Sequence, residues 1–173
     1  METELIRKAA DGDAQALNVL VDKHKGLAYN VAFRILQNSE DAKDVTQNSF
    51  IKALENLGHF RQESSFSTWL YRIVYNEAMM LVRKQKRNLE FLDETYVDVR
   101  DEEEPQPDQA KMQLTLNKAI EELKPRERTV IDLFYLGEKS IKEIRKITGM
   151  STANVKVVLH RTREKLKKNI GHG

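Results

Sequence analysis

The chain has 173 residues, of which 40% are hydrophobic and 32% are charged, and its formal net charge is +2. This length fits one ordinary domain or two small ones and excludes a large enzyme. The absence of cysteine excludes disulfides and thiolate metal sites, and no apolar run reaches the roughly 18 residues of a spanning helix, so we expect a cytoplasmic protein without direct membrane insertion.

The charge is unevenly distributed along the chain. Residues 1–88 carry a net charge of +2, residues 89–109 carry −8, and residues 110–173 carry +8. A basic C-terminal part indicates a polyanionic partner. The acidic middle could repel that partner, imitate it or serve as a solvated spacer.

The predicted elements are helices throughout, because apolar residues recur at steps of three and four and only seven glycines and three prolines interrupt them. A long helix continues through Leu36 and breaks at Gln37-Asn38. Ser39 is predicted to cap a second helix. After a loop over residues 56–65, Ser67 is predicted to cap a third helix that runs to about Arg87.

The stretch from Phe60 to Ile73 is rich in aromatic residues and also contains Arg61 and Arg72. Aromatic faces can stack on unpaired bases while arginines hold phosphates, which is typical of single-strand binding. The alternative is that the apolar members only form the core face of a helix, since they have helical spacing. Those members are Phe66, Trp69, Leu70 and Ile73.

Residues 89–109 are predicted to form an acidic, flexible linker, because the run Asp101-Glu102-Glu103-Glu104 is followed by two prolines. A helix over about 109–123 and another over about 126–136 follow. Ser140 and Glu143 have the spacing of a capping box. A turn at Gly149 and a cap at Ser151 then predict a helix, glycine turn and helix unit.

The last helix has one apolar face, formed by Val155, Leu159, Thr162 and Leu166. Its other face could enter the major groove of DNA, as the second helix of a helix-turn-helix does. Val157 could contact a thymine methyl group or be a tolerated apolar surface residue. The other residues on or beside this face are Ala153, Asn154, Lys156, His160, Arg161, Glu164 and Lys168, and the side chains expected at phosphates are Arg161, Arg163, Lys165, Lys167 and Lys168.

Two blocks of motifs resemble the extracytoplasmic-function (ECF) family of bacterial RNA polymerase sigma factors, which contain only regions 2 and 4. The region 2 block comprises Asp41-Ala42-Lys43-Asp44-Val45-Thr46-Gln47, Phe60-Arg61-Gln62-Glu63-Ser64, Phe66 to Ile73 and Asn76. The region 4 block comprises Leu123-Lys124-Pro125-Arg126-Glu127-Arg128, Ser140 to Ile144, Gly149-Met150-Ser151, Val155-Lys156 and Leu159 to Arg163.

The resemblance implies an all-α fold of two small helical domains, region 2 at 1–88 and region 4 at 110–173, joined by the acidic linker at 89–109. It implies a protein that binds core RNA polymerase and promoter DNA and helps to open the −10 element, with no catalytic residue, metal or other cofactor. It also implies an anti-sigma factor that could hold the protein at the membrane. The expected polymerase-binding residues are Asp44, Gln47 and Asn48, those for single-stranded −10 DNA are Phe60, Arg61, Gln62, Glu63, Ser64, Arg72 and Asn76, and those for −35 duplex DNA are Thr152, Asn154, Lys156, Val157, His160, Arg161 and Arg163.

The chain departs from the family pattern at several positions. Asn48 stands where an acidic residue is usual, and Met80-Leu81 replaces a common Asp-Arg pair. Residues Ala153 to Val158 replace a common Gly-Thr-Val-Lys-Ser-Arg sequence, which predicts an unusual −35 element.

Two other functional classes remain open at this point. A DNA-binding regulator could use the C-terminal unit alone and never engage polymerase. A small nuclease or metal-dependent hydrolase is disfavoured, because the four histidines lack ligand spacing with carboxylates and there is no glycine-rich phosphate loop.

Overall fold

A computed structural model describes residues 1–91 and 108–171, and within them the side chains of all but residues 90, 91, 108–113 and 170. The described chain is helical, as predicted. The helices are α1 (Glu2–Ala10), α2 (Ala14–Leu36), α3 (Ser39–Glu55), α4 (Phe66–Phe91), α5 (Asp108–Glu121), α6 (Pro125–Tyr135), α7 (Ile141–Thr148) and α8 (Thr152–Gly171), with a 3₁₀ turn at Leu57–His59.

Helices α1 to α4 form an N-terminal bundle in which α2, α3 and α4 pack on one another and α1 packs on α2. The bundle core includes Leu20, Ile35, Phe66, Leu70 and Val74, each at most 2% exposed. The interpretation of Phe66 and Leu70 as core residues is therefore confirmed.

Two predicted helix caps are wrong. Asn38, not Ser39, caps α3, because its side chain accepts a hydrogen bond from the Asp41 amide at 2.9 Å. Ser65, not Ser67, caps α4, where its hydroxyl accepts from the Thr68 amide at 3.2 Å. In both places several residues with capping side chains stand together, so that local propensity cannot choose among them.

The C-terminal unit follows the predicted local signals closely. Ser140 and Glu143 form the capping box of α7, and Gly149 ends that helix in the left-handed region at φ +73°. Ser151 caps α8 by accepting from the Asn154 amide at 3.1 Å. These contacts fix α7 and α8 as the two helices of a helix-turn-helix.

The N-terminal bundle and the C-terminal unit pack against each other, with α6 on α2 and α7 on α4. The relative placement of the two parts could not be predicted from the sequence. Residues 89–91 continue α4 and Asp108 begins α5, so most of the predicted linker lies outside the described residues. Among the described helices, none combines the length and apolarity needed to cross a bilayer.

Candidate nucleic-acid interface

A cluster of three aromatic rings stands at the junction of the 56–65 loop and the start of α4. The ring centroid of Phe60 lies 5.0 Å from that of Trp69 and 6.0 Å from that of Phe66, and the Phe66 and Trp69 centroids are 5.8 Å apart. Phe66 is buried, whereas Phe60 and Trp69 are half-buried. The cluster therefore anchors the loop and still presents two aromatic side chains at the surface.

Both ends of the loop are fixed to neighbouring elements, and one residue within it has an uncommon backbone conformation. Leu57, in the 3₁₀ turn, is 3% exposed, and Ser65 caps α4 at the other end. Between them Gln62 adopts a left-handed backbone with φ +57°, which is uncommon for a residue with a side chain.

A pocket of about 250 Å³ opens between this loop and the exposed side of α4. Of the seven residues expected at single-stranded DNA, all but Gln62 and Asn76 line it; Asn76 is exposed on α4, one turn beyond Arg72. Four lining residues stand outside that expected set, and of these Trp69 belongs to the aromatic stretch for which base stacking and core packing were both open. The complete lining is His59, Phe60, Arg61, Glu63, Ser64, Thr68, Trp69, Arg72 and Lys146.

The residues outside that set differ in how they could have been found. Trp69 and Thr68 could have been placed there by helical spacing, because they lie one turn before Arg72. Lys146 comes from α7 and is distant in sequence, so no local pattern signals it.

The pocket combines cationic and aromatic side chains. Arg61, Arg72 and Lys146 contribute positive charge, and Glu63 contributes the one carboxylate among the lining residues. Its volume lies just below the range of about 300–1,000 Å³ typical of small-molecule sites. An unpaired base with its phosphate matches this size and chemistry.

Helix α8 presents a continuous polar and basic face. Three members of the predicted apolar face, Val155, Leu159 and Thr162, are at most 3% exposed and are confirmed, whereas the fourth, Leu166, is half-buried. Val157 is 43% exposed, so it is a surface residue. Also exposed are Thr152, Ala153, Asn154, Lys156, His160, Arg161, Glu164 and Lys168.

Two basic residues of α8 have partners on α6, and Lys167 pairs within α8 with Glu164 at 3.4 Å. Arg163 donates from Nε to the hydroxyl of Tyr135 at 2.6 Å and stacks over the Phe134 and Tyr135 rings. Lys165 pairs with Glu127 at 2.9 Å. Burial alone would raise the pKa of Glu127, but hydrogen bonds from Lys165 and the Lys124 amide leave that pKa below its usual value. Arg163 and Lys165 thus brace α8 against α6.

A third surface lies on α3, none of whose residues lines the pocket. Asp44, Gln47 and Asn48 are all exposed and share one helix face, because they are three and four residues apart. Ile51 extends this face by another turn and is 48% exposed, a feature missed by the sequence analysis. A polar stripe with an apolar member suits a protein partner.

Family models match both parts of the chain. The model for sigma-70 region 2 matches residues 20–88, and a model for sigma-70 region 4 matches residues 113–166. The ECF RNA polymerase sigma factor SigW of Bacillus subtilis is 33% identical over 177 residues, which covers 95% of this chain and 94% of SigW.

The fold is also similar to solved structures. CnrH, solved in complex with the cytosolic domain of CnrY, has a TM-score of 0.67 and 28% identity, covering 97% of this chain and 96% of CnrH. The sigma factor RpoE of Bartonella quintana, solved in complex with the anti-sigma factor NepR, has a TM-score of 0.70 at 20% identity, over 89% of this chain and 96% of RpoE.

Proposed function

The chain belongs to the ECF family of RNA polymerase sigma factors. From this membership and from the three surfaces described above, we propose that it initiates transcription in the following way. It binds core RNA polymerase, directs the enzyme to promoters and helps to open the −10 element. The observation that carries the proposal is the aromatic and basic pocket at the 56–65 loop, on the same chain as an exposed basic helix α8.

The pocket captures one unpaired base of the −10 element. Phe60 and Trp69 supply the surfaces on which a base can stack, and Arg61 and Arg72 hold the adjoining phosphates. Glu63 and Ser64 can hydrogen-bond the edge of the base. Gln62 and Asn76 contact the strand on either side, since both are exposed beside the pocket. The boundaries 1–88 and 110–173 would then delimit the −10 and −35 domains.

Helix α8 reads the −35 element in the major groove. Thr152, Asn154, Lys156, Val157 and His160 stand on the exposed N-terminal half of the helix, where such side chains reach base edges. Arg161 contacts phosphates. Arg163 contributes chiefly by bracing the helix, because its guanidinium is engaged with Tyr135.

The α3 face formed by Asp44, Gln47, Asn48 and Ile51 binds core polymerase. Its exposure in the compact arrangement leaves it available to a protein partner. We assign the protein no catalytic role of its own, a cytoplasmic location, and regulation by an anti-sigma factor, the kind of partner that NepR is for RpoE.

Run-off transcription from sheared genomic DNA, with mapped transcript ends, tests this function. Purified core polymerase is compared with and without the protein, and Asp44→Ala/Gln47→Ala is compared with the control Lys43→Ala on the same helix. New starts that share two spaced upstream motifs, lost only with the double variant, are the expected result. No new starts, with duplex binding by the protein alone, would contradict the proposal and indicate a regulator that does not engage polymerase.

A further inference from the structure

Helix α1, which the sequence analysis did not predict, lies next to the loop that we assign to base capture. It packs on α2 and on the 3₁₀ turn Leu57–His59, near the start of that loop. Its apolar residues Ile6 and Ala9 are buried, and Leu57 of the turn is 3% exposed. The start of the loop therefore rests on a helix that supplies no residue of the pocket lining.

A buried histidine contacts the aromatic cluster of the pocket. His24, on α2, is 6% exposed, and its ring centroid lies 5.1 Å from that of Phe66 at an interplanar angle of 56°. Phe66 does not line the pocket, but its ring contacts both Phe60 and Trp69, which do. The His24 ring thus supports the two lining aromatics through one buried intermediate.

A carboxylate of α1 fixes that histidine ring. The Oε1 atom of Glu2 lies 3.2 Å from Nε2 of His24 and 2.8 Å from Nζ of Lys23. The hydrogen bond from Lys23 keeps the pKa of Glu2 below its ordinary value, so Glu2 is an ionised acceptor near neutral pH. Burial lowers the pKa of His24, so its ring is neutral there and Nε2 carries the hydrogen that Glu2 accepts. This hydrogen bond selects one tautomer and one orientation of the ring.

Stacking on a base depends on how firmly the aromatic rings are held. Phe60 and Trp69 are half-buried, and Phe60 belongs to the loop rather than to a helix. A site keeps its productive geometry when the residues behind it are locked by packing and by hydrogen bonds. His24 meets both conditions, because it is buried in the bundle and bonded to Glu2.

We infer that His24 is a positioning residue of the base-capturing pocket and that Glu2 of α1 sets the orientation of its ring. Neither residue lines the pocket, so both act through Phe66 on Phe60 and Trp69. The inference rests on the proposed role of the loop. It goes beyond that role, because a change on α1 is then expected to alter recognition of a base that α1 does not touch.

The test measures binding of a fluorescent non-template strand by holoenzyme assembled from core polymerase and the full chain. The strand carries the −10 element of a promoter mapped by run-off transcription. In a matched series of strands, an abasic site replaces each base of the element in turn, and the captured base is the one whose loss weakens binding most. An abasic site keeps the phosphates and removes the stacking surface, so the ratio of intact to abasic affinity reports base capture alone.

The first comparison is between Glu2→Ala and Glu4→Ala, which removes the same charge from an exposed position of the same helix. We expect Glu2→Ala to bind the intact strand about threefold more weakly, as loss of one hydrogen bond allows, and Glu4→Ala to bind it like the wild-type protein. His24→Ala, which removes the ring, should weaken binding about tenfold, within the range of one base–aromatic stack. Both Glu2→Ala and His24→Ala should bind the strand without the captured base like the wild-type protein, because the stacking contact they disturb is already absent.

Two further variants separate positioning from general stability. Val31→Ala removes buried volume two turns farther along α2 and should leave the ratio of intact to abasic affinity unchanged. His24→Phe keeps a ring against Phe66 but loses the hydrogen bond, so its affinity for the intact strand should match that of Glu2→Ala.

The outcomes distinguish the inference from the function on which it rests. Equal weakening of intact and abasic strands by Glu2→Ala and His24→Ala, or no weakening by either, would overturn the inference. Binding by His24→Phe as weak as that by His24→Ala, or an equal change of the ratio with Val31→Ala, would do the same. In these cases the wild-type protein still distinguishes the intact strand from an abasic one, and the proposed function stands. If no abasic position weakened binding by the wild-type protein, the proposed capture of a base would itself be contradicted.

Discussion

Replacement of Arg128 by methionine should destabilise the two domains unequally. In the structure the buried guanidinium donates to two carbonyls at the end of α2, and also to the carbonyls of Glu121 and Leu123 at the turn between α5 and α6. Methionine fills similar space but donates nothing. All four carbonyls then lose their charged donor.

The size of the effect depends on whether water can replace that donor. A hydrogen bond to a charged group contributes about 1.5–3 kcal/mol. Arg128 is 5% exposed, and the desolvation of its charge, which also lowers its pKa, offsets part of the gain, so we take the lower end of that range. The two bonds within the C-terminal unit then give a loss of roughly 3 kcal/mol there. The free energy of unfolding of the N-terminal bundle should fall by less than about 1 kcal/mol, because the carbonyls at the end of α2 become exposed to water when the domains separate.

Urea unfolding can distinguish the two domains, because the single tryptophan, Trp69, lies in the N-terminal bundle. Because Trp69 shares a pocket with Lys146 of α7, unfolding of the C-terminal unit should change the fluorescence intensity. The midpoint of the main fluorescence transition, which follows the N-terminal bundle, should hardly change, while far-UV circular dichroism should show an earlier transition for the C-terminal unit. Arg126→Met, at an exposed position of the same helix, is the control. Equal shifts with both probes, or no shift with either, would be inconsistent with this role of Arg128.

Three further changes have defined outcomes. Burial lowers the pKa of His24 below its ordinary value of 6.5, against the opposing effect of Glu2, so folding favours the neutral ring. The contribution of His24 to the free energy of unfolding should be fully present above pH 6.5 and should be lost as the pH falls below that value. His24→Leu should remove this pH dependence in urea unfolding curves. Gly149→Ala should cost about 1 kcal/mol in thermal unfolding, because alanine disfavours φ +73°; an unchanged melting temperature would be inconsistent with that turn. Asp44→Ala should weaken binding to core polymerase but leave duplex binding by α8 unchanged, as judged by fluorescence anisotropy with each partner, and a loss of both would point to misfolding.

Local signals in the sequence predicted most of the helices and the C-terminal unit. The capping box at Ser140, the glycine turn and the cap at Ser151 are each settled by residues within a few positions, so the prediction needed no tertiary information. The caps at Asn38 and Ser65 were misassigned by one and two positions, because neighbouring polar residues could have served equally well. Helix α1 was missed altogether.

The contacts between the domains could not be predicted in this way. Arg128 stands in a strongly charged stretch that is typical of a solvated surface. It is nevertheless 5% exposed and donates hydrogen bonds to the end of a helix more than 90 residues earlier. Lys146 likewise has no sequence neighbour that signals a pocket. Both depend on the packing of α6 and α7 against the N-terminal bundle, which only the three-dimensional arrangement supplies.

Photocrosslinking can show whether the loop captures an unpaired −10 base. Promoter DNA carries 5-iododeoxyuridine at one non-template position of the −10 element at a time, in complexes of core polymerase with the protein, and mass spectrometry locates the crosslinked residue. We expect crosslinks to Phe60 or Trp69 from a single DNA position, because both residues line the pocket. Crosslinks that map elsewhere on the chain from every position, in complexes that still transcribe, would contradict capture of a base by the loop.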